Sequence, residues 1–171
     1  MSAPDDSSRF AARWRRRLDS WVGGLCAALL ALMVVNVSWQ VFSRYVLRDP
    51  SSVTEELARF LLIWLGLFGG AYALGRGQHV AIDALVVRLP AGWRRGTSIA
   101  ASLCVLTFAI SLLLFGGTRL ALLVHRLDQE SAALGVGLAW VYAALPLSGL
   151  VFAGFALLDL ADAVRPREAR E

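Results

Sequence analysis

The chain contains four long apolar stretches, separated by short polar segments that carry most of its charge. Two of the stretches, residues 97–118 and 131–158, contain no charged residue at all. Because a helix rises about 1.5 Å per residue, about 20 apolar residues suffice to cross a bilayer. Uninterrupted apolarity predicts four membrane-spanning helices, at about 21–43, 57–75, 97–119 and 131–158. The predicted fold class is therefore an all-α integral membrane protein, with residues 1–171 forming a single membrane domain.

A shorter apolar segment, residues 79–90, lies between the second and third stretches and cannot cross a bilayer. On a helical wheel, His79 and Asp83 lie on one arc, four residues apart. A separate arc holds the apolar residues Ile82, Leu85, Val86 and Leu89. This pattern predicts a short amphipathic helix in the membrane interface. The alternative is a re-entrant or strand-like segment, because β-branched residues are frequent here.

The composition excludes several classes of protein. Hydrophobic residues make up 57% of the chain and charged residues 18%, whereas soluble domains average about 45–50% and about 25%. A soluble enzyme, a disordered chain and a secreted disulfide scaffold are excluded. Cys26 and Cys104 both lie inside apolar stretches, and no CxxC spacing is present. The cysteines therefore indicate neither a metal site nor a disulfide.

All 17 basic residues are arginines, and they give a net charge of +4. They flank the apolar stretches, so they indicate membrane topology rather than nucleic-acid binding. Five lie in the N-terminal segment, four in the 76–96 connection and three in the C-terminal tail, against three in the other connections. The positive-inside rule then predicts that both termini and the 76–96 connection are cytoplasmic.

The start of the second stretch carries a cluster of polar residues. Ser52-Val53-Thr54-Glu55 matches a capping box, in which Ser52 accepts from the first free amides and Glu55 reaches back. Glu55 and Glu56 also precede Arg59 by four and three residues, so all three can meet on the helix surface. Ionisable groups at membrane depth suggest a coupling-ion or proton site. Because these acids lie in the first helical turn, a structural role at the water boundary is favoured.

Residues inside the spans indicate helix packing. Three polar residues share one face of the first span and predict hydrogen bonds to a neighbouring helix rather than to substrate: Asn36, Gln40 and Ser43. Small residues form a stripe along the second span: Gly66, Gly70, Ala73 and Gly77. Trp64 lies at mid-span, away from the interfacial aromatic belt, and is predicted to pack against a helix of this chain or of a partner.

No motif in the sequence indicates an enzyme or a cofactor site. Walker, GxSxG and HExxH patterns are absent. His79 and His125 are predicted on opposite sides of the bilayer, so they cannot share one haem iron. The centres of the uncharged stretches contain none of the ionisable residues that proton-coupled carriers place there. The residues alone predict a four-span scaffold without a catalytic centre.

Several motifs stand out between residues 39 and 90. They are WQVFSRYVL at 39–47, TEELARF at 54–60, IWL at 63–65, LFGGA at 67–71 and HVAID at 79–83. Together they closely resemble the small membrane subunit (DctQ-like) of tripartite ATP-independent periplasmic (TRAP) transporters. The Glu-Glu-x-x-Arg-Phe and Gly-x-His-x-x-x-Asp elements are the specific part. The chain departs from the family pattern at the end of the second span, where Gly75 and Gly77 flank Arg76. Glycine gives a looser helix end than a good helix former would.

The resemblance implies that the chain works with partners and is not an enzyme. In that family a larger multi-span subunit carries the substrate and sodium sites, and a periplasmic solute-binding protein delivers an organic acid. The small subunit is a rigid scaffold in the bacterial inner membrane, in contact with the larger subunit and with lipid. The structural and partner-contact candidates are Asn36, Gln40, Arg44, Glu55, Glu56, Arg59, Trp64, Gly66, Gly70, His79 and Asp83.

The main alternative is a stand-alone four-span transporter that acts as a homodimer, such as a multidrug exporter. Such a protein is expected to carry an acidic residue deep inside a span. Glu55 and Glu56 are too close to the end of their span to fit this alternative.

Overall fold

The computed structural model of the chain describes residues 6–49, 51–76 and 91–164. Four of its helices are long and apolar enough to cross a membrane, and we call them spans one to four. They are Arg13–Leu47, Ser52–Gly75, Gly96–Arg126 and Leu138–Val164. The prediction of an all-α chain with four spans is confirmed. The predicted interfacial helix at 79–90 lies outside the described residues.

Three of the spans combine more than one helical segment. In chain order the segments are α1 (Asp6–Phe42), a π-helical turn (Ser43–Leu47), α2 (Ser52–Gly75), α3 (Ala91–Phe108), a π-helical stretch (Ala109–Gly116), α4 (Gly117–Arg126), α5 (Leu138–Tyr142) and α6 (Ala144–Val164). The division of span four has a clear cause, because Pro146 has no N–H to donate to the carbonyl four residues earlier. The helix is interrupted at Ala143, three residues before this proline.

The helices extend beyond the predicted apolar stretches at most of their ends. Helical hydrogen bonds do not require apolar side chains, so charged turns continue a helix past the hydrocarbon core. The start of span four differs in the other direction, since its helix begins at Leu138 and not at 131. Ser131–Gly135 forms a reverse turn instead, with the Gly135 amide 3.0 Å from the Ser131 carbonyl oxygen. Gly135 has a φ of +62°, a conformation that glycine adopts readily.

Span two packs between spans one and four, span four also touches span one, and span three packs on span four. Span four contacts all three other spans, whereas the described part of span three has close backbone contact with span four alone. In the most apolar part of span four 33% of the residues are buried, against 11% in span one and 17% in spans two and three. Spans one, two and three therefore leave most of their apolar surface open to the membrane or to a partner.

Two sets of contacts hold the layer together. Spans one, two and four meet in a cluster of buried apolar residues: Val22, Phe68, Leu74 and Phe155. Gly75 lies so close to the Phe155 ring that a Cβ added to this glycine would be 2.5 Å from ring carbons. Spans three and four approach just as closely, since a Cβ on Gly149 would be 2.9 Å from that of Leu113. These small residues allow the helix backbones to pack closely, as is common in membrane proteins.

The contact between Gly75 and Phe155 predicts a strong effect of one methyl group. Gly75→Ala should force the fully buried Phe155 ring to move, at a cost of about 1–3 kcal/mol. Gly66→Ala is the matched control on the same helix, because its added Cβ would meet no atom within 4 Å. We expect the thermal unfolding midpoint of the purified chain in detergent to fall for Gly75→Ala alone. Equal midpoints for the two variants would contradict the packing described here.

Candidate functional site

At one end of the molecule, Arg15 joins three of the four spans. Its Nη2 donates to the Gly75 carbonyl oxygen at 3.0 Å, where span two ends. Its Nη1 lies 2.9 Å from Oδ1 of Asp159 and 3.6 Å from Oδ2 of Asp162, both near the end of span four. Arg15 thus satisfies a carbonyl at a helix end and balances two carboxylates.

A second arginine extends this arrangement. Arg76 donates from Nε to Oδ1 of Asp19 in span one at 3.3 Å. Its guanidinium group also lies 5.0 Å from the centre of the Tyr72 ring. We call these charged residues the end cluster: Arg15, Asp19, Arg76, Asp159 and Asp162.

Sequence reasoning missed the end cluster. It used the N-terminal arginines only to assign topology and did not pair Arg15 or Arg76 with acids of spans one and four. A usable signal was present, because Asp159 and Asp162 lie on the same predicted side of the membrane as the N-terminal arginines. Arg15 and Asp159 are 144 positions apart, however, so their pairing depends on the packing of spans one and four.

At the opposite end, hydrogen bonds connect spans one and two. The Asn36 side chain, which is 8% exposed, donates from Nδ2 to the Thr54 carbonyl oxygen at 2.8 Å. The Ser43 hydroxyl donates to the Asp49 carbonyl oxygen in the connection that follows. Asn36 therefore donates a hydrogen bond from span one to span two.

The predicted capping box does not form. The residue preceding the helix is Ser51, one position before the predicted cap Ser52, and its side chain makes no capping hydrogen bond. Instead, the Thr54 hydroxyl donates to the Ser51 carbonyl oxygen at 2.9 Å. Glu55 does not reach back to the helix start but lies beside Arg59, with 4.0 Å between Oε1 and Nη2.

The adjacent acids Glu55 and Glu56 have different environments. The Glu55 and Arg59 side chains are 58% and 69% exposed, and such exposed pairs contribute about 0–1 kcal/mol. Glu56 instead accepts a hydrogen bond from the Ala133 amide, with 2.8 Å between Oε2 and N. The Ser131 hydroxyl also interacts with this carboxylate. Glu56 thereby attaches span two to the turn that precedes span four.

The other predicted site residues are dispersed. Trp64 stacks on Phe68, with 5.7 Å between ring centres, so it packs inside this chain. A Cβ on Gly70 would be 3.3 Å from Phe152, whereas Gly66 faces open space. The small-residue stripe is therefore divided between an internal contact and the open surface.

The remaining predicted site residues are Gln40, Arg44, His79 and Asp83. Gln40 is partly exposed, and Arg44 is exposed at the end of span one. His79 and Asp83 lie outside the described residues. Within the part of the chain that the structure describes, no three potential metal ligands come together. Among the described polar contacts, those of Arg15, Asn36 and Arg76 connect one span to another, and that of Glu56 connects span two to the turn before span four.

Comparison with known proteins gives an independent result. Residues 33–166 match the family model described as tripartite ATP-independent periplasmic transporters, DctQ component. The sialic acid TRAP transporter small permease protein SiaQ of Vibrio cholerae is 33% identical over 135 residues, which cover 79% of this chain and 73% of SiaQ.

Two further relatives match different shares of their own length. A TRAP transporter small permease protein of Haemophilus influenzae is 42% identical over 66 residues, 39% of this chain and 41% of that protein. The isethionate TRAP transporter permease protein DctMQ of Oleidesulfovibrio alaskensis is 29% identical over 177 aligned positions. That alignment covers 96% of this chain but 28% of DctMQ.

The two glutamates provide a matched pair of variants. Glu56→Ala should remove the acceptor of the Ala133 amide and loosen the turn that precedes span four. Glu55→Ala should change little, because it removes an exposed pair. We expect faster hydrogen exchange of the Ala133 amide in the Glu56 variant, measured by mass spectrometry of the purified chain. If the two variants exchange at the same rate, Glu56 does not hold this turn.

Proposed function

The chain belongs to the DctQ component family of TRAP transporters, and we propose that it is the scaffold that holds the large transport subunit in the membrane. As a member of this family it is a transporter subunit and not an enzyme. The observation that carries the scaffold role is the distribution of its polar contacts, which connect its own spans near their two ends.

The described spans carry no Asp, Glu, Arg or His at their centres. In span one the charged side chains lie at or before Asp19 and at Arg44, and in span four they lie at Asp159 and beyond. Transporters place ionisable residues along their substrate and ion pathways. We therefore assign the substrate and sodium sites to a larger membrane partner.

The length of the relative DctMQ supports the existence of a larger membrane partner. A segment similar to nearly all of this chain makes up about a quarter of that longer permease protein. Physical linkage of this kind is expected when the two parts work side by side in the membrane. We propose that this chain makes the same association as a separate subunit.

Open surfaces of spans one and two are available for this association. Span one exposes large apolar side chains at mid-span and at both ends, including Trp21, Val35 and Trp39. Gly66 and Gly69 of span two each have open space at the position of a Cβ. Association of helices in lipid depends on close packing, which small residues allow.

We propose that the assembled complex performs sodium-coupled uptake of an organic acid across the bacterial inner membrane. A periplasmic solute-binding protein would deliver the acid, and sialic acid and isethionate in the names of two relatives support this substrate class.

In this arrangement both termini of the chain are cytoplasmic. The contact of Arg15 with Asp159 supports a common side for the two terminal segments.

The proposed orientation predicts the accessibility of two engineered cysteines. Gln129→Cys, in the exposed connection between spans three and four, should react with a membrane-impermeant maleimide in intact cells. Glu171→Cys should react only after permeabilisation. The native chain is the control for Cys26 and Cys104. Labelling of residue 171 in intact cells would overturn the orientation.

The scaffold role predicts that uptake requires both membrane subunits. We would first identify the ligand of the associated binding protein by thermal shift, using a panel that includes sialic acid and isethionate. Uptake of that acid into liposomes under a sodium gradient should then require this chain, the large subunit and the binding protein together. Uptake by this chain alone would support the homodimeric transporter instead. Full uptake without this chain would remove its proposed role.

A further inference from the structure

An apolar groove runs between spans one and four and opens to the side. Trp14 and Leu18 form one wall, and Leu150, Gly154 and Leu158 lie along the other. The volume of the groove is about 450 Å³, within the range of about 300–1,000 Å³ that holds small ligands.

The groove depends on the missing side chain at Gly154. A Cβ there would lie 3.7 Å from Cδ1 of Leu18, at ordinary contact distance, so a longer side chain would fill the space between the two walls. The span-four wall continues from Leu150 to Leu158, which corresponds to about 12 Å along a helix.

The composition and position of the groove favour a lipid acyl chain as the occupant. All residues that line the groove are apolar: Trp14, Leu18, Leu150, Val151, Gly154, Leu157 and Leu158. Because the groove opens to the side of two membrane-spanning helices, an acyl chain of the surrounding lipid is the apolar group next to it.

Charged residues lie at the Trp14 end of the groove. The Arg15 guanidinium group contacts Asp159 and Asp162 there, so its charge is already balanced within the end cluster. Arg17 is exposed and three residues after Trp14, which places it on the same side of the helix. Arg16 is also exposed but points away from that side, because successive helical residues are about 100° apart.

We propose that this groove binds one acyl chain of an anionic phospholipid, whose phosphate lies beside Arg17. The apolar walls line the part nearer mid-span, where an acyl chain lies in a bilayer. Trp14 is 49% exposed at the level of the arginines, and tryptophan is enriched at the headgroup level of membranes. Basic pockets at the ends of adjacent spans are a recognised site for anionic headgroups.

The test uses the purified full chain in nanodiscs of phosphatidylcholine with a minor fraction of phosphatidylglycerol. The lipid retained after transfer to detergent is quantified by mass spectrometry. The native chain should retain phosphatidylglycerol in preference to phosphatidylcholine. Arg17→Gln should reduce this preference about fivefold, since one arginine near an anionic surface contributes about that factor. Arg16→Gln is the matched control and should retain the native preference.

A second pair of variants tests the groove itself. Gly154→Leu should fill it and reduce total retained lipid, whereas Gly69→Leu, whose added Cβ would meet no atom within 4 Å, should not. Equal losses in the Arg16 and Arg17 variants would overturn the assignment of the phosphate. Unchanged lipid in Gly154→Leu would overturn the groove as the site. In that case residues 77–90 or a partner subunit would be the occupant to test next.

Discussion

In a bilayer, apolar side chains gain little free energy by leaving lipid for protein, so the four spans must be held by close packing and by hydrogen bonds. The structure uses both kinds of contact. Close backbone approach occurs within the spans at Gly117 and Gly149, and at the end of span two at Gly75. Polar contacts are concentrated towards the two ends, at Arg15 and at Glu56. The interior therefore needs no charged group, which agrees with a subunit that supports transport without forming the substrate path.

Much of this arrangement could be predicted from local sequence. The number of spans follows from their apolar length, and the hydrogen bond of Asn36 follows from the high cost of an unpaired amide in lipid. The specific motifs between residues 39 and 90 identified the family, which the match over residues 33–166 confirms. These features depend on the composition of single segments, so no knowledge of the packing was needed.

The features that sequence reasoning missed depend on which spans are neighbours. Gly75 was interpreted as a loose helix exit, because nothing local shows that Phe155 packs against it. Glu55 and Glu56 were treated as one cluster, although adjacent helical residues differ by about 100° in direction. That rotation leaves Glu55 in the open and directs Glu56 to the turn at Ala133. The packing order of the spans determines each of these outcomes.

That packing order also differs from the order in which the spans are synthesised. Span three emerges before span four, yet span four is its described neighbour and lies between it and span two. Spans one and two can pair as soon as both are in the membrane, whereas span three must wait in lipid without a partner from its own chain. Span four then packs against span two on one side and against span three on the other. The described packing therefore lets spans one and two assemble without span four, whereas span three can join them only through it.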